Sequence, residues 1–314
     1  MWTEEACDLL HSGRSLTELE KVGPYIEKLI QQWVDEAREV PERPPERRQF
    51  LMLTEAREAL AGTPEWLRSV RGDLQMHTVW SDGDASVDEM ADAAVSRGYE
   101  YIAITDHTKG LKIAGGIDEE QVARQGEEIA HVNERMRGNG LTVLRSVELN
   151  INPRGEGDMD PDCLRRLDLV LGCFHSSLRT KEDQTARYMA ALRNPEVNIL
   201  GHPRGRIYNF RLGLSADWPR VFGVAAELDK AVEIDGYPDR QDLNVDMLRL
   251  AKQAGCRISL GTDSHGAAQL RFMEYSAAAA LLAGISKDRI LNLMRREELL
   301  EWASRTRGHQ RRAA

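Results

Sequence analysis

The chain has 314 residues, of which 41% are hydrophobic and 30% are charged, and its net charge of -9 gives a pI of about 5.5. This composition allows a packed core and argues against a protein that is held on nucleic acid by bulk positive charge, although it leaves room for local phosphate contacts. The four cysteines form no CxxC pair, and no run of about 20 apolar residues indicates a membrane span or a signal peptide. We therefore expect a cytoplasmic protein with no membrane partner; the composition does not fix its oligomeric state.

The first 70 residues are predicted to form a small all-helical domain. Residues 15–34, SLTELEKVGPYIEKLIQQWV, read as a helix, a tight VGP turn and a second helix. This stretch resembles a helix-hairpin-helix motif, whose turn amides face a nucleic-acid phosphate. The resemblance implies that Lys21, Val22 and Gly23 contact a DNA backbone, with Lys21 where the motif usually has its first glycine. The alternative is a hairpin whose apolar residues only pack against a neighbour, namely Val22, Ile26, Leu29 and Ile30.

A proline-rich stretch follows these helices. Because VPERPPERR, residues 40–48, contains three prolines, it cannot lie inside a helix and is predicted to be a linker or a sharp turn. A further helical stretch, FLMLTEAREALAG, ends near Gly62. We place the domain boundary at about residue 70, so that the helical domain covers 1–70.

From residue 71 onward, short β-branched runs alternate with amphipathic helices. Ser86 and Glu89 form a capping box before a helix that ends at Gly98, and a later helix ends at Gly255. Alternation of strand and helix at this spacing predicts an α/β fold with parallel strands and right-handed crossovers. We count seven strands from Asp73 to Asp263.

Nearly every predicted strand carries or ends at a residue that can bind a metal ion. These residues are His77 with Asp82 beyond it, Asp106 and His107, Glu148, His175, His202, Glu233, and Asp263 with His265. The carboxyl ends of parallel barrel strands meet at one face, so we expect the side chains to converge there. One histidine at a strand end is usually only a hydrogen-bonded polar residue. Five of them among carboxylates would be costly to bury without a cation.

Mixed histidine and carboxylate ligands suit Zn²⁺, Mn²⁺ or Fe. The candidate ligands are too many for one ion, and a carboxylate such as Glu148 can bridge two. Two or three divalent cations a few Å apart are suited to phosphoester hydrolysis, because they activate water and hold the phosphate oxygens.

Seven stretches together resemble the PHP (polymerase and histidinol phosphatase) family of metal-dependent phosphoesterases. In chain order they are GDLQMHTVWSDG, YEYIAITDH, VELNI, CFHSS, ILGHPRGR, VEIDGYPDR and GTDSH. The resemblance covers roughly residues 71–305 and leaves residues 306–314 as a basic tail. Within the family, these stretches most resemble the PHP domain of bacterial family X DNA polymerases. The resemblance implies a distorted (β/α)7 barrel, in agreement with our strand count. We see no room for a nucleotidyl-transfer domain and do not expect a polymerase.

The resemblance also implies three metal ions and their ligands. The first ion would use His77, Glu148 and Asp263. The second would use Glu148, His175 and His202, with Glu148 as the bridge. The third would use Asp82, His107 and His265. Glu148, Asp263 and His107 are then the residues expected to matter most for catalysis.

Gln75 departs from the HxH pattern of the family, since it replaces one imidazole at the first ion. Its amide oxygen is a weaker and harder ligand than imidazole. The alternative is that Gln75 only forms hydrogen bonds and leaves a position open for water. Either way, the first ion is expected to bind less tightly and to favour Mn²⁺ over Zn²⁺. A further alternative is an empty first site and an inactive protein.

Several charged residues lie next to the expected ligands. Asp73 and Asp106 either orient histidines or cap strand ends. The candidates to hold a substrate phosphate are the cations just past strand ends, namely Lys109, Arg204, Arg206 and Arg240. For each of these, a surface salt bridge is the alternative.

The main hypothesis is a metal-dependent phosphoesterase acting at DNA ends, as a 3′–5′ exonuclease or a 3′-phosphatase. The first alternative is a small-molecule phosphomonoesterase of the histidinol-phosphatase type, in which the N-terminal hairpin is purely structural. The second is a nucleic-acid-binding protein whose catalytic site has decayed.

Overall fold

The strands of this chain are short, buried and parallel. The computed structural model describes residues 5–37, 39 and 42–308. Its strands are β1 (Gly72–Asp73), β2 (Tyr101–Ile104), β3 (Thr142–Arg145), β4 (Glu148–Asn150), β5 (Leu171–Cys173), β6 (Ile199–Leu200), β7 (Ala231–Asp235) and β8 (Arg257–Gly261). In sequence order, β1 to β3 form a three-stranded sheet and β4 to β8 form a five-stranded sheet.

The two sheets join where β3 ends and β4 begins. Only Ser146 and Val147 separate these strands, and a parallel bridge between His107 and Glu148 continues the pairing of β2 onto β4. We therefore treat β3 and β4 as one bent strand. Counted in this way, the strands number the seven that the sequence predicts.

The ring of strands closes between β8 and β1. The Leu74 amide donates to the Leu260 carbonyl at 3.4 Å, and the Asp263 amide donates to the Gln75 carbonyl at 3.1 Å. The predicted α/β class is confirmed, and these hydrogen bonds give the strands the closed order of a barrel.

Helices surround the barrel and connect its strands. They are α1 (Ala6–His11), α2 (Pro24–Asp35), α3 (Leu53–Ala61), α4 (Pro64–Arg68), α5 (Val87–Ser96), α6 (Glu119–Met136), α7 (Pro161–Leu164), α8 (Thr185–Arg193), α9 (Trp218–Glu227), α10 (Val245–Ala254), α11 (Met273–Leu282) and α12 (Arg296–Gly308). Shorter 3₁₀ helices lie at Leu16–Glu18, Pro45–Arg47, Lys112–Ala114, Arg137–Asn139, Ala267–Phe272, Lys287–Arg289 and Leu291–Leu293. None of the described helices combines the length and apolar character needed to span a membrane.

The predicted helix boundaries of the barrel follow from local capping. The Ser86 hydroxyl accepts from the Glu89 amide at 3.2 Å, and the Ser86 amide donates to the Glu89 carboxylate at 2.8 Å, which completes the capping box of α5. Gly255 ends α10 with a left-handed φ of 79°, a conformation that glycine adopts at little cost.

Side chains alternate between the inside and the outside of the barrel with a period of two. In β2, Tyr101 and Ala103 belong to the interior core, whereas Ile102 and Ile104 pack in the outer core with the helices. Parallel strands that are buried on both faces read as continuous apolar runs, as these do.

The end of the barrel at which the strands begin is closed by α12. Leu299, Trp302 and Ala303 of this helix are buried in the interior core, and Trp302 Nε1 donates to the Asp229 carbonyl at 2.8 Å. We call this apolar closure the plug. The strand ends that carry the predicted ligands lie at the opposite end, which we call the mouth.

The predicted helical domain, residues 1–70, divides into two parts. The first part encloses a small core of its own that includes Leu9 and Leu16. In the second part, Leu60 and Trp66 of α3 and α4 belong to the main core of the barrel. The boundary at about residue 70 stays a prediction, and this packing favours a boundary before α3.

The hairpin predicted over residues 15–34 has one regular helix instead of two. Its first half is a single 3₁₀ turn, Leu16–Glu18, which ends where Leu19 takes an extended backbone conformation. Lys21, in the turn that follows, has a left-handed φ of 64°. The second half of the hairpin, α2, is present. Lys21 thus adopts the conformation for which the glycine of the motif is suited.

The two remaining boundary predictions meet gaps in the described residues. The predicted linker, 40–48, contains the 3₁₀ turn Pro45–Arg47, and its residues 40 and 41 lie outside the described part. Because α12 continues to Gly308, residues 306–308 of the predicted basic tail are helical, and the start of the tail at residue 306 stays a prediction. Residues 309–314 also lie outside the described part.

Candidate metal centre

The polar residues of the strand ends meet at the mouth of the barrel. Eight of the nine predicted ligands fall into overlapping groups whose ligand atoms lie within 4.8 Å of one another, namely His77, Asp82, His107, Glu148, His175, His202, Asp263 and His265. We call these eight residues the cluster. They come from strand ends far apart in the sequence, so the fold brings them together as expected from the position of the strand ends.

Glu148 occupies the centre of the cluster and is fully buried at the start of β4. Its Oε1 lies 2.7 Å from Nε2 of His175 and 2.8 Å from Nε2 of His202. Its Oε2 lies 3.2 Å from Nε2 of His77. A carboxylate whose two oxygens face different imidazoles has the arrangement that a bridge between two cations requires.

The first predicted ligand set is closely packed. His77 Nε2 lies 3.0 Å from Asp263 Oδ1, and both side chains are buried. Asp263 follows β8 with a φ of 52°, which is unusual for a residue other than glycine. Such backbone persists only where the surrounding structure holds it, and it is common at functional sites.

The third predicted set is also together, but it is more open. Nε2 of His107 and Nε2 of His265 each lie 3.6 Å from the Asp82 carboxylate, whose side chain is 33% exposed. His265 Nδ1 lies 2.7 Å from the Asp263 carbonyl, which directs the other ring nitrogen into the cluster. This set therefore forms the solvent side of the mouth.

The second predicted set is split in the structure. His175 and His202 both contact Glu148, but His175 groups with His107, whereas His202 groups with Cys173. The two rings approach the shared Glu148 oxygen differently, with their centres 5.6 Å apart and their planes inclined by 70°.

Cys173 is a candidate ligand that the sequence reasoning missed. It is fully buried in β5, and its sulfur groups with Glu148 and His202. We had looked for paired cysteines, but the period of two places Cys173 on the same inward side of the strand as His175. Gly201 makes room for the sulfur, because a Cβ there would lie 2.4 Å from it.

Gln75 lies fully buried against the cluster. Its Nε2 donates to Glu148 Oε2 at 2.9 Å, and its Oε1 has no hydrogen-bond partner in the described part of the chain. Glu233 Oε1 lacks a partner there as well. These two oxygens lie 3.1 and 2.4 Å from the position of a Cβ on Gly261, so only glycine fits between them. Of the alternatives for Gln75, the geometry favours a hydrogen bond to Glu148.

The protons of the cluster are distributed by burial and by neighbouring charge. Burial alone would lower the pKa of His77, but the Asp263 and Glu148 carboxylates outweigh it and raise that pKa well above its usual value. Burial lowers the pKa of His107 to about 3. Burial would raise the pKa of Glu148, yet the imidazoles, His107 and His202 first, hold it well below its usual value. The cluster thus has a buried anion at its centre.

Polar partners outside the cluster hold the His175 ring and the His202 backbone. Asn150 Oδ1 lies 3.2 Å from His175 Nδ1, and the His202 amide donates to Glu233 Oε2 at 2.7 Å. Burial raises the pKa of Glu233 to about 8. Such partners fix the orientation of metal-binding histidines.

Asp106 and Asp73 accept hydrogen bonds from backbone amides and threonine hydroxyls near the ligands rather than from histidine rings. Asp106 accepts from the Thr78 amide at 2.8 Å and the Thr78 hydroxyl at 2.6 Å, and so fixes the loop that leads to Asp82. Asp73 accepts from the Gln75 amide at 3.2 Å and from the Thr262 hydroxyl at 2.5 Å, which ties β1 to the residue before Asp263.

The four predicted phosphate-binding cations occupy different places. Arg240 lies at the cluster, with Nε 3.3 Å from Asp263 Oδ2. Lys109 Nζ pairs with the Glu119 carboxylate at 2.7 Å, and Arg204 Nη2 donates to a carbonyl of its own loop at 2.8 Å. Only the position of Arg240 is adjacent to a predicted ligand.

The prediction for Arg206 is wrong because its side chain is buried and committed elsewhere. Its Nε donates to the Arg240 carbonyl at 2.9 Å and its Nη2 to the Gln49 carbonyl at 2.8 Å. Its guanidinium lies 3.8 Å from the centre of the Phe50 ring, and burial lowers its pKa to about 10. Arg206 therefore ties the segment just after the linker, at Gln49 and Phe50, to the loop of Arg240.

The three predicted DNA-contacting residues lie on the N-terminal turn with different exposure. The Lys21 side chain is 89% exposed, and Gly23 precedes α2 as its N-terminal cap. Val22 is buried in the small N-terminal core. The packing alternative does not hold for Ile26 and Leu29, which remain 42% and 45% exposed.

The donors present fit divalent cations. Buried nitrogen and oxygen atoms normally have partners, yet His77 Nδ1, His107 Nδ1 and Gln75 Oε1 have none among the described residues. Imidazoles and carboxylates with one nearby thiol are suitable ligands for Zn²⁺, Mn²⁺ or Fe.

Comparisons of the sequence with known proteins find similarity to an exonuclease and to probable phosphatases. The chain is 35% identical over 227 residues to a DNA polymerase/3′-5′ exonuclease PolX of Bacillus subtilis, and the match covers 72% of this chain but 40% of the polymerase. It is 30% identical over 203 residues to a probable phosphatase of Acetivibrio thermocellus, with 62% of this chain and 78% of that protein covered.

Two solved structures align with the chain at lower similarity. One is a putative histidinol phosphatase of Listeria monocytogenes, with a TM-score of 0.47 and 11% identity over 63% of this chain and 97% of the other. The second is a histidinol phosphate phosphatase of Lactococcus lactis in complex with zinc, L-histidinol and phosphate, with a TM-score of 0.44 and 16% identity over 77% and 94% of the two chains. The family model of the PHP domain matches residues 73–262, which is more than half of the chain, and the chain therefore belongs to the PHP domain family.

Proposed function

We propose that the chain hydrolyses phosphoester bonds at DNA ends, as a 3′–5′ exonuclease or a 3′-phosphatase. The protein is a phosphoester hydrolase that uses two or three divalent cations held at the mouth. The single observation that carries this proposal is the position of Glu148, whose two oxygens face separate imidazoles at 2.7–3.2 Å. When bound, the cations lower the pKa of water and neutralise phosphate charge.

The residues of the chain have distinct roles in this proposal. The imidazoles and carboxylates of the cluster hold the cations. Glu148 and His107 each belong to more than one ligand group, and Asp263 groups with His77 and Glu148. Arg240 lies beside Asp263, where its guanidinium can bind a phosphate oxygen as charge develops. No protein nucleophile is needed.

DNA as the substrate is supported by two features of the chain. One of the matched relatives is named a DNA polymerase/3′-5′ exonuclease. The N-terminal turn places Lys21 in a left-handed conformation with an exposed side chain, next to the amino-terminal end of α2. Helix amino termini favour phosphate.

The four cysteines are free thiols, which supports the expected cytoplasmic setting.

A small-molecule phosphomonoesterase is the second candidate. It is favoured by relatives named probable phosphatase, one of which matches this chain over 78% of its own length. In this reading the N-terminal turn is structural, and the mouth accepts a phosphate monoester such as histidinol phosphate.

The experiment that tests these candidates is an activity assay with Mn²⁺ on three substrates. They are a 3′-labelled oligonucleotide, a generic aryl phosphate and histidinol phosphate. Asp263→Ala and His107→Ala should lose turnover, whereas His131→Ala, which removes an exposed histidine outside the cluster, should keep it.

The outcomes separate the hypotheses. Release of nucleotides or of phosphate from the 3′ end supports the main proposal, and turnover of the two small phosphates alone supports the second candidate. Protein that contains no metal by mass spectrometry, that turns over nothing and that still binds DNA through Lys21 and Gly23 would contradict both.

A further inference from the structure

Two loops that follow predicted ligands meet at the mouth. The loop after His175 contains Arg179, and the loop after His202 contains a small hairpin with Phe210 at its tip. The Arg179 guanidinium lies 4.4 Å from the centre of the Phe210 ring. Carboxyl-terminal strand loops share one face of a barrel, so this contact lies on the same side as the cluster.

The hairpin is held in place by backbone hydrogen bonds. Its ends pair at Ile207 and Arg211, with both amide-to-carbonyl distances at 3.0 Å. The Tyr208 amide donates to the Asp239 carbonyl at 2.6 Å. The Asn209 amide donates to a carbonyl of the linker at 3.0 Å. Its rings are therefore presented on a fixed backbone and do not need to be ordered on binding.

The rings of this hairpin face solvent. Phe210 is 56% exposed and Tyr208 is 41% exposed. A single exposed apolar residue needs no explanation, but these two stand beside arginines on the functional face of the barrel. We call Arg179, Arg204, Tyr208, Phe210 and Arg211 together the rim.

Within the described residues, three arginines of the rim form no ion pair. No carboxylate of the described residues lies within 4.0 Å of the guanidinium groups of Arg179, Arg204 and Arg211. Burial lowers the pKa of Arg211, and so do the neighbouring Arg240 and Arg179 cations, which together outweigh the opposing effect of the Asp242 and Asp239 carboxylates. The rim is thus a local cationic surface on a chain whose net charge is -9, and it is complementary to an anion.

The rim is connected to the cluster through one loop. Asp239, which binds the Tyr208 amide, precedes Arg240, whose Nε lies 3.3 Å from Asp263 Oδ2. In the same loop, the Tyr237 ring lies 6.1 Å from the His265 ring, centre to centre. The loop of Arg240 therefore contacts both the rim and the cluster.

We propose that the rim binds the unpaired terminal nucleotides of a single-stranded nucleic acid, with bases stacked on Phe210 and Tyr208 and phosphates held by the arginines. This inference rests on the proposed phosphoesterase function and adds the form of its substrate. Aromatic faces combined with a cationic groove are the means by which proteins bind single strands without sequence preference, and each stacked base contributes about 1–3 kcal/mol. Bases inside a duplex are not available for such stacking.

The test is fluorescence anisotropy with the full chain as purified. The probes are 5′-fluorescein-labelled strands whose 3′-terminal linkages are phosphorothioates that resist cleavage. They are single-stranded DNA, single-stranded RNA, a blunt duplex and an abasic sugar–phosphate strand of equal length. We expect both base-bearing single strands to bind more tightly than the duplex and the abasic strand. Preference for DNA over RNA would mean that the sugar is read in addition.

The variants identify the contribution of stacking. Phe210→Ala should weaken binding of single-stranded DNA by about 5- to 150-fold, the change that corresponds to one stacked base, and Phe210→Trp should restore it. Leu212→Ala is the matched control, because Leu212 is 52% exposed in the same loop but has no ring. Thermal melts of the variants should coincide with that of the parent chain.

Three results would overturn the inference. They are abasic strands that bind as tightly as DNA, a Phe210→Ala variant that binds like the parent, and a polyglutamate peptide that competes as well as DNA, which would indicate an acidic protein partner. Failure of the proposed function is distinguishable, since it would abolish turnover of all phosphoesters while binding through Phe210 persisted.

Discussion

The two ends of the barrel interior are built from opposite kinds of side chain. At the plug, Leu299 and Trp302 fill the interior, and the indole nitrogen has a carbonyl partner at 2.8 Å. At the mouth, Glu148 and Asp263 are buried among imidazoles, and buried polar atoms lack partners in the described residues. The comparison indicates that packing at the plug stabilises the fold, whereas the mouth depends on ligands that the chain does not supply.

The largest expected effect comes from removing a carboxylate at the mouth. Asp263→Ala should lower kcat for phosphoester hydrolysis by about 10²–10³-fold or more, because the cation that the carboxylate would hold no longer stabilises charge at the reacting phosphate. The metal content per chain, measured by mass spectrometry, should fall with it. An Asp263→Ala variant that keeps more than about a tenth of the activity would contradict the assignment, and His131→Ala is the control.

The corresponding change at the plug should affect stability only. Trp302→Ala should lower the free energy of unfolding by about 3–5 kcal/mol, the usual cost of removing a buried large aromatic side chain. Urea titrations measure this change, and Trp33→Ala, at a tryptophan that is 44% exposed, should shift the value by less than about 0.5 kcal/mol. If the folded Trp302→Ala protein lost its metal, the two ends would not be independent.

Lys230 tests whether a charge at the plug end is as unfavourable as the comparison implies. It is fully buried just before β7, its Nζ donates to the Asn194 carbonyl at 2.5 Å, and burial lowers its pKa to about 7. An unfolded lysine has a pKa of about 10.4, so the unfolded chain binds more protons in the window between these values. The contribution of Lys230 to stability should therefore rise by roughly 3 kcal/mol from pH 7 to pH 10.

Chemical unfolding as a function of pH measures this contribution. Lys230→Met should remove the rise, because the methionine side chain does not titrate, while Lys287→Met should leave it in place. An identical pH profile for Lys230→Met and the parent chain would show that the buried amine does not titrate in this range.

Cation binding should stabilise the mouth without changing the plug. At a Mn²⁺ concentration of 100 times Kd, the free energy of unfolding should increase by about 2.7 kcal/mol, which thermal melts with and without EDTA can measure. The increment should be equal in the parent chain and in Trp302→Ala, since distant sites act additively. It should be lost in Glu148→Ala, and its persistence there would place the cations elsewhere.

The smallest effect is expected for Gln75→His. This change restores the second imidazole of the HxH pattern, and we expect Zn²⁺ affinity to rise about tenfold, at the low end of what partners of metal ligands contribute. Competition with a chromogenic chelator measures the affinity. Unchanged affinity would indicate that residue 75 serves only to hold Glu148.

Much of the mouth could be predicted from the sequence because strand ends of a barrel converge whatever the details of packing. The set of His77, Glu148 and Asp263 was predicted from the family pattern and is assembled in the structure. Its metals and its catalytic role stay predictions. The helix bounds at Ser86 and Gly255 were predictable because capping is local.

Features that depend on long-range contacts could not be predicted. Arg206 follows a predicted ligand closely in sequence, where a phosphate-binding residue could lie. Its side chain is instead held by Gln49 and Phe50, more than 150 residues away. The split of His175 and His202 depends on ring orientations around Glu148. Cys173 has no sequence partner at CxxC spacing, so only its position on the strand face indicates its role.

The burial of Arg206 also fixes where the N-terminal part leaves the barrel. Because its guanidinium holds Gln49 and Phe50 beside the loop of Arg240, the connecting segment is anchored at the mouth. Under the proposed function, a DNA strand bound by the N-terminal turn would then contact the rim in a second, intramolecular binding step. Short tethers raise effective concentration to the millimolar range, so under the proposed function two individually weak contacts would together bind DNA more tightly than either contact alone.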